Sequence, residues 1–459
     1  MKQFLVLILL FLCQNGVAQT RASQCYFGTC LIDFSTNPFI ILSTTAVACH
    51  ESPASICGED GQLLFYSNGG PSPTASYIGG VWSANGNFME NGQIMDSAGC
   101  MSTYQGACII PKPSLNKVES SEYYLFTNDC LESSVSSSSN FGLTLAVIDM
   151  SANNGLGTVI SKYQSIVPYQ IITNHTTNNE PLSIIGHANG LDSWLFSYTK
   201  DSLYRLPITT SGIGTPTLLF PSGGRILFSP SKNNAVIGHK YYSFDAQTGD
   251  LNFITDFTSS TRQYAFSSDG TKLYTLIGGI LTQYDCLASN LMASQIIVAT
   301  SINSATNQLF LADNSYIYLA GSVKTYIDAK IVCPNNSGVS CGFDPADMSL
   351  FGGFTGTNNF TNIPAHWLYK AATNCNLGVE DETNNQLFSI FQSANQLTIS
   401  SAISEKCTVR LVHSSGALVF KTDFVETTVI DQAGLAKGIY FAVFETLSGV
   451  QVTKKIGVY

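Results

Sequence analysis

Charge is scarce in this sequence. Its 459 residues include 21 Lys and Arg against 31 Asp and Glu, only 11% together, and no basic cluster occurs anywhere. A formal charge of -10 without a cationic patch argues against nucleic acid or an anionic membrane surface as a partner. Long apolar runs are also missing, apart from residues 4–13 of "MKQFLVLILLFLCQNGVAQT". That run is shorter than the ~20 residues a membrane helix needs. One lysine precedes it, and the small residues Gly16 and Ala18 follow, which is the pattern of a secretory signal peptide spanning 1–18. Lipid attachment at Cys13 is the competing reading, opposed by the bulky Leu12 before it. On either reading the mature chain is expected to contain no transmembrane segment.

Metal-binding patterns are lacking as well. No Cys-x-x-Cys occurs, and no cysteine pair is matched by a histidine pair at zinc-finger spacing. The six histidines, His50, His175, His187, His239, His366 and His413, form neither His-x-His nor His-Glu-x-x-His. "GED" at residues 58–60 and "SSDG" at residues 267–270 offer too few alternating oxygens for calcium. "FGGFTGTNN" lacks the lysine and following helix of a phosphate loop. No metal and no cofactor are expected.

What the sequence does contain is 44% hydrophobic residues among abundant Ser, Thr, Asn and Gln, enough for a buried core. Helical periodicity is hard to find. Short alternating or continuously apolar runs dominate, bounded by Gly, Asn, Asp, Ser and Pro: "GQLLFYSNGG", "YYLFTND", "LTLAVIDM", "SWLFSYT", "KLYTLIG", "YIYLAG". These predict an all-β protein with many short strands. Of the 13 cysteines, 12 lie beyond the leader, an even number that suits disulfides in an exported chain. Cys333 with Cys341, and Cys49 with Cys57, are candidate pairs because each would close a short loop.

Some runs repeat. "ILFSPSKNNAVIGHKYYSFDAQTGDL" superposes on "YAFSSDGTKLYTLIGGILTQYDCLASNL" with Phe228 on Phe266, a spacing of 266 − 228 = 38. The next copy sets Leu309 on Leu273, a spacing of 309 − 273 = 36. A period near forty residues carrying several strands is that of propeller blades, whose sheet faces are buried only by neighbouring blades. The segment "ASICGEDGQLLFYSNGG…VWSANGNFMENGQIM…GACIIPKPS…YYLFTND…LTLAVIDMSANNGLG" resembles the N-terminal β-propeller region of secreted Bacteroidetes proteins. "FSSDGTKLY", "LTQYD", "VCPNNSGVSC" and "NIPAHW" fit the same family. A propeller over 19–377, with seven blades, is the expectation.

"GVEDETNNQ", residues 378–386, then reads as a solvated acidic linker. Beyond it, 387–459 offers seven strand candidates: "LFSIF", "QLTIS", "CTVRLVH", "ALVFKTDF", "TTVI", "GIYFAVFET" and "VQVTKKIGVY". Turns at Ser415 and Gly416, and at Ser448 and Gly449, suit tight hairpins. Together they predict a small Ig-like β-sandwich. This module resembles the type A C-terminal sorting domain of the type IX secretion system. The resemblance rests on "RLVHSSGALVF", "LAKGIYFAVFET" and "KKIGVY", hence on Gly416, Gly438, Ile439, Tyr440, Lys454, Lys455, Ile456 and Val458. The Asn-Pro pair usual after the family's first strand is replaced by "FQSANQ". The resemblance implies passage across the outer membrane by the type IX machinery, removal of the tail, and a propeller released or fixed at the cell surface.

Chemistry is harder to find. "GVSCG", residues 338–342, fits the G-x-S-x-G pattern around Ser340, but turn-forming residues flank it where an elbow needs a strand and a helix. Trp82, Trp194 and Trp367 would stack on sugar rings if exposed together, although strand tryptophans ordinarily pack in cores. The expected activity is binding or adhesion to a glycan or a surface protein, without catalysis. The alternative is an extracellular hydrolase or lyase acting on polysaccharide, its residues converging on a central channel. A purely structural surface role is also compatible with the sequence.

Overall fold

The computed structural model describes residues 21–458 except 28–29, 37–38, 45–46, 48, 50, 73–77, 95–98, 116–119, 130–140, 168–179, 200–201, 222–223, 258–262, 303–305, 322–325, 346–347, 350–360, 372–387, 393–395, 414–416, 432–433, 437 and 448–450. The expected signal peptide, the acidic linker, Gly416 and the turn at Ser448 and Gly449 therefore lie outside the described residues. The chain divides into two compact units, Met1–Cys375 and Asn376–Tyr459. Both are all-β, and among the described residues only short 3-10 turns interrupt the strands.

Among the described residues, the strands of the larger unit form six sheets that divide into seven antiparallel meanders. The first holds β1 (Gln24–Phe27), β2 (Cys30–Asp33) and β3 (Ile40–Thr44). The second holds β4 (Ala54–Cys57), β5 (Leu63–Ser67), β6 (Gly79–Ser83) and β7 (Phe88–Ile94). The third holds β8 (Ala107–Pro111), β9 (Glu122–Asn128), β10 (Leu143–Asp149) and β11 (Thr158–Val167). A single parallel pairing of Thr158 with Glu90 joins these two meanders into one eight-stranded sheet. In the fourth, β12 (Leu182–Gly186), β13 (Ser193–Thr199) and β14 (Ser202–Thr209) are completed by β15 (Gly212–Ile213) and β16 (Thr217–Pro221), both on β14. The fifth runs β17 (Ile226–Phe228), β18 (Asn234–Ile237), β19 (Lys240–Asp245), β20 (Asp250–Asp256). The sixth runs β21 (Gln263–Phe266), β22 (Lys272–Ile277), β23 (Ile280–Asp285), β24 (Ile296–Ala299). In the seventh, β25 (Thr306–Leu311), β26 (Ile317–Gly321) and β27 (Tyr326–Ile331) carry β28 (Phe343–Asp344) and β29 (Met348–Ser349) on β27.

Burial grades across each meander and explains the sequence pattern. First strands β1, β4 and β12 are buried at every residue and are mostly apolar, each with one polar residue, Gln24, Ser55 and Ser183. Last strands such as β20 are mostly exposed and read as mixed. The first strands are neighbours in chain order, β1 beside β4, then β8, β12, β17, β21 and β25. The seventh meander packs back on the first: Phe34 lies 5.7 Å from Phe310 and 5.2 Å from Tyr318 between ring centroids. Ser23 Oγ donates to Asp313 Oδ2 at 2.7 Å across the same seam. The seven meanders thus close a ring whose first strands face the axis.

The first hairpin of each meander fixes the repeat. Ser229 N–H bonds Asn234 O, Ser267 N–H bonds Lys272 O, and Ala312 N–H bonds Tyr316 O. Phe228 and Phe266 each precede that closing residue, as the 38-residue spacing predicts. Leu309 on Leu273 is incorrect, because Leu309 belongs to the first strand β25 and Leu273 to the second strand β22. The hairpins instead equate Leu311 with Phe266, a spacing of 311 − 266 = 45. One apolar strand resembles the next, and only the turn tells them apart. In the sixth meander, Asp269 Oδ1 accepts from Thr271 N at 2.9 Å, and Gly270 adopts φ +74°. A Cβ at Gly270 would sit 2.2 Å from Ser231 Oγ, so this turn nests against its predecessor's.

Both short-loop cysteine pairings require correction. Cys341 keeps a free, buried thiol while Cys333 is disulfide-bonded, so the two are not joined to each other. The loop between them is closed by backbone instead, Cys333 N–H bonding Cys341 O at 2.8 Å. The Cys341 thiol lies against the Tyr274 hydroxyl, and burial raises its pKa. Cys57 is likewise a free thiol, so it does not pair with Cys49. Its sulfur accepts from Gln24 N at 3.3 Å, and burial pushes it up to about 12, out of the reactive range.

The smaller unit is two antiparallel sheets packed face to face. One runs β30 (Phe388–Gln392), β31 (Gln396–Ser401), β34 (Thr427–Asp431). The other runs β33 (Leu418–Phe424), β32 (Cys407–His413), β35 (Gly438–Thr446), β36 (Gln451–Val458). Leu397, Ile399 and Ile430 meet Val409, Leu411, Ala442 and Phe444 in one core, and Phe388 stacks on Phe444 at 4.5 Å. The final strand is an edge. Tyr440 faces Ile456 in register, both buried, and the Tyr440 hydroxyl donates to Ala436 O at 2.6 Å. Gly438 pairs with Val458, and Ile439 with Gly457. Lys454 stands opposite fully buried Ala442, on the core-facing side, and Lys455 opposite exposed Phe441. Charges on an edge strand discourage edge-to-edge pairing.

Candidate functional site

The axis of the ring is where the first strands converge, and the chain itself returns there. Residues 361–370 follow the last meander and touch all seven, Ala365 packing in one apolar cluster with Ile226 and Phe228 of the fifth. Thr361 Oγ1 donates to Tyr26 O at 2.6 Å and lies 3.3 Å from Ser55 Oγ. Asn362 N–H bonds Pro53 O, and its Nδ2 donates to Leu182 O at 2.9 Å. Ile363 packs against the apolar clusters of the second to fourth, sixth and seventh, and first meanders. The 3-10 turn Ala365–Leu368 then places His366 Nδ1 to accept from Gly186 N at 3.0 Å. Lys370 N–H bonds Ser268 O, and Lys370 Nζ pairs with Asp313 Oδ1 at 3.3 Å.

His366 is held neutral. Burial, reinforced by the nearby Lys232 charge, lowers its pKa to about 3. Gly186 permits the approach, since a Cβ there would sit 2.8 Å from the imidazole Cδ2. Gly186→Ala is expected to destabilise the ring by ~1–3 kcal/mol through overpacking, read by urea unfolding.

The returning segment does not fill the axis completely. A cavity of about 70 Å³ remains beside the fourth to seventh meanders, lined by Ser183, Arg225, Tyr264 and Gln308, with Gln105 and Asn362 opposite. Phe228, Phe266 and Phe310 supply apolar walls. Arg225 Nη1 donates to Gln263 Oε1 at 3.1 Å, whereas its buried Nε has no hydrogen-bond partner among the described residues. Gln105 exchanges two 3.4 Å bonds with the Ile226 backbone. No acidic residue is among the described lining residues. Among the described residues no group of three or more His, Cys, Asp or Glu is placed to hold a metal ion.

The residues singled out from the sequence lie elsewhere. Trp82 is buried, stacked on Tyr66 at 5.9 Å and against Phe88 at 4.7 Å. Trp367 is buried in the large core around the second to fourth meanders. Trp194 is half-buried under the Arg205 guanidinium at 5.3 Å, its Nε1 donating to Ala246 O. The three tryptophans form no shared platform. Ser340 sits in the 3-10 turn Gly338–Cys341 with its hydroxyl donating to Ser337 O, away from any nucleophile elbow. Arg225, Gln308, Asn362 and His366 were not anticipated as a group. The signal for the last two was the quoted "NIPAHW", read only as the close of the repeats.

Comparison with known proteins places the tail. Residues 393–459 match the family described as Secretion system C-terminal sorting domain. Such a domain directs its chain to the type IX machinery, and so to the cell surface or extracellular space. In addition, no helix among the described residues is long and apolar enough to cross a membrane. No curated protein matches the chain. Among solved structures, it is similar to a candidate 6-phosphogluconolactonase from Bacteroides fragilis NCTC 9343. The two share 12% identity, 74% of this chain and 98% of that one are covered, and the TM-score is 0.47. A candidate enzyme of the same name from Bacteroides uniformis ATCC 8492 gives 13% identity, 74% and 100% coverage, and a TM-score of 0.45. A DUF3244 protein with an immunoglobulin-like β-sandwich from Bacteroides vulgatus ATCC 8482 covers 17% of this chain and 88% of its own. Its identity is 17% and its TM-score 0.16.

Proposed function

We propose that this chain, exported through its type IX sorting domain, is a seven-bladed β-propeller binding module followed by an Ig-like sorting sandwich. Each meander is one blade in this reading, with its first strand innermost. Cleavage after Ala18 and later removal of the tail leave the propeller at the surface or in the medium. Its ligand is a glycan or a surface protein.

The observation that carries this reading is the chain's own occupation of the axis. In a propeller enzyme acting on polysaccharide, catalytic groups converge there on a polymer. Here Thr361 and Asn362 bond to Tyr26, Ser55, Pro53 and Leu182. A polymer cannot thread that centre, which favours recognition over processive chemistry. A glycan array probed with the full-length chain tests this. Retention of a defined set of glycans, with no shortening of those glycans over time, is the expected result. Cleavage of any bound polysaccharide would overturn the non-enzymatic reading.

A further inference from the structure

Ser183, Arg225 and Gln308 of the cavity lining hold equivalent positions in the fourth, fifth and seventh meanders. Counting back four residues from the hairpin-closing His187, Ser229, Ser267 and Ala312 gives Ser183, Arg225, Gln263 and Gln308. All four are polar. The same count from Gly58 and Lys112, which close the hairpins of the second and third meanders, gives Ala54 and Cys108. Both are buried and apolar, on the side where the returning segment packs. Of the four polar residues, Ser183, Arg225 and Gln308 line the cavity, and Gln263 accepts from Arg225.

Within that stripe Arg225 is the one positive charge. Its Nη1 is spent on Gln263, while its buried Nε has no partner among the described residues. Leaving a buried donor of a charged group unmatched costs free energy that a bound acceptor would restore. With no acidic side chain among the described lining residues, the missing acceptor is an anion from outside. A single planar guanidinium matches a carboxylate better than a doubly charged phosphate, which would ask for a second cation. Size agrees: 70 Å³ is about half of the ~150 Å³ cavity that admits benzene, room for a carboxyl group and a carbon or two.

We infer that the axial cavity binds the carboxylate group of a small organic acid or of an acidic end group, held by Arg225 with Ser183 and Gln308. The inference deepens the binding reading above and rests on it only for the biological source of the carboxylate. Ser183 and Gln308 supply a hydroxyl and an amide at the same height, and Asn362 stands opposite on the returning segment. The carbon next to the carboxylate meets Phe228, Phe266 and Phe310.

The test uses the full-length chain and ligand-observed NMR titrations at constant ionic strength, with sodium acetate, acetamide, sodium phosphate and sodium glucuronate. Acetate is expected to bind, and acetamide and phosphate to bind at least tenfold more weakly. Arg225→Gln should weaken acetate at least tenfold, and Ser183→Ala roughly 2- to 10-fold, the worth of one hydrogen bond. If Arg225→Gln fails to fold, Ser183→Ala and Gln308→Leu decide the matter by the same readout. Absence of acetate binding, equal binding of acetamide, tighter binding of phosphate, or neutral variants would each overturn the proposal. Glucuronate binding as tightly as acetate identifies an acidic glycan end group as the source, and acetate alone a free short-chain acid. Acetate binding alongside an empty glycan array sinks the adhesion reading and leaves the site standing.

Discussion

Deleting residues 387–459 is expected to trap the protein in the periplasm and lower its surface and extracellular fraction at least tenfold. The deletion removes the whole two-sheet unit, of which residues 393–459 match the sorting-domain family. Fractionation, with protease added to intact cells, measures the result. A subtler version keeps the tail and attacks its fold. Ile456 and Tyr440 are buried opposite one another on the last two strands. Truncating Ile456→Ala should cost ~2–5 kcal/mol, a large share of what so small a unit has to lose. Export should fall with it. Unchanged surface display of the deletion would overturn the sorting assignment, whatever the point variant does.

The second large effect is acid lability of the ring through His366. Its unfolded pKa is near 6.5 and its folded one about 3, so between those values the unfolded chain binds the extra proton. The neutral imidazole thus contributes stability fully present above about pH 6.5, lost progressively as pH falls towards 3. At ~1.4 kcal/mol per unit, the whole loss is on the order of 4–5 kcal/mol. Lys232 is the charge facing this imidazole and acts in the same direction. Asp129 opposes the trend elsewhere. Burial raises its carboxyl to about 6 despite bonds from Gly99 N and Gly142 N, so its penalty shrinks on acidification. The difference between the protein and His366→Gln isolates the histidine, since glutamine's carbonyl can still accept from Gly186 N. Urea unfolding can be followed by tryptophan fluorescence, because all three tryptophans lie in the larger unit. The stability gap between protein and variant should shrink by several kcal/mol from pH 7 to pH 3.5. Parallel curves for the two would exclude this role.

How much of this was legible in the sequence differs by length scale. Strands and hairpins were readable, because each depends on neighbours within about ten residues: alternating burial, then a turn such as Asp269 and Gly270. All six quoted internal runs and all seven tail runs are strands. The cavity was not readable. Ser183, Arg225 and Gln308 of its lining, with Gln263 bonded to Arg225, fall at unequal intervals of 225 − 183 = 42, 263 − 225 = 38 and 308 − 263 = 45. Setting Leu309 on Leu273 concealed that Gln308 and Gln263 hold the same place. The short-loop disulfides failed for a related reason. Sequence proximity brought Cys333 and Cys341 together, but a backbone bond had already closed that loop. Nothing in "NIPAHW" by itself says that the chain turns back to the centre.

That return makes the axial segment a keystone. Thr361 bonds to Tyr26 across 335 residues of sequence, and Asn362 to Leu182 across 180. All seven meanders precede this segment in the chain, so its contacts with their inner strands are the last of the ring to become available. Contacts of such range form slowly, because the intervening chain must be ordered first. The keystone lies only a few residues before the tail unit begins at Asn376. The tail is therefore the first part to emerge after the ring is able to lock, so that the address becomes readable only on a cargo whose fold can be complete.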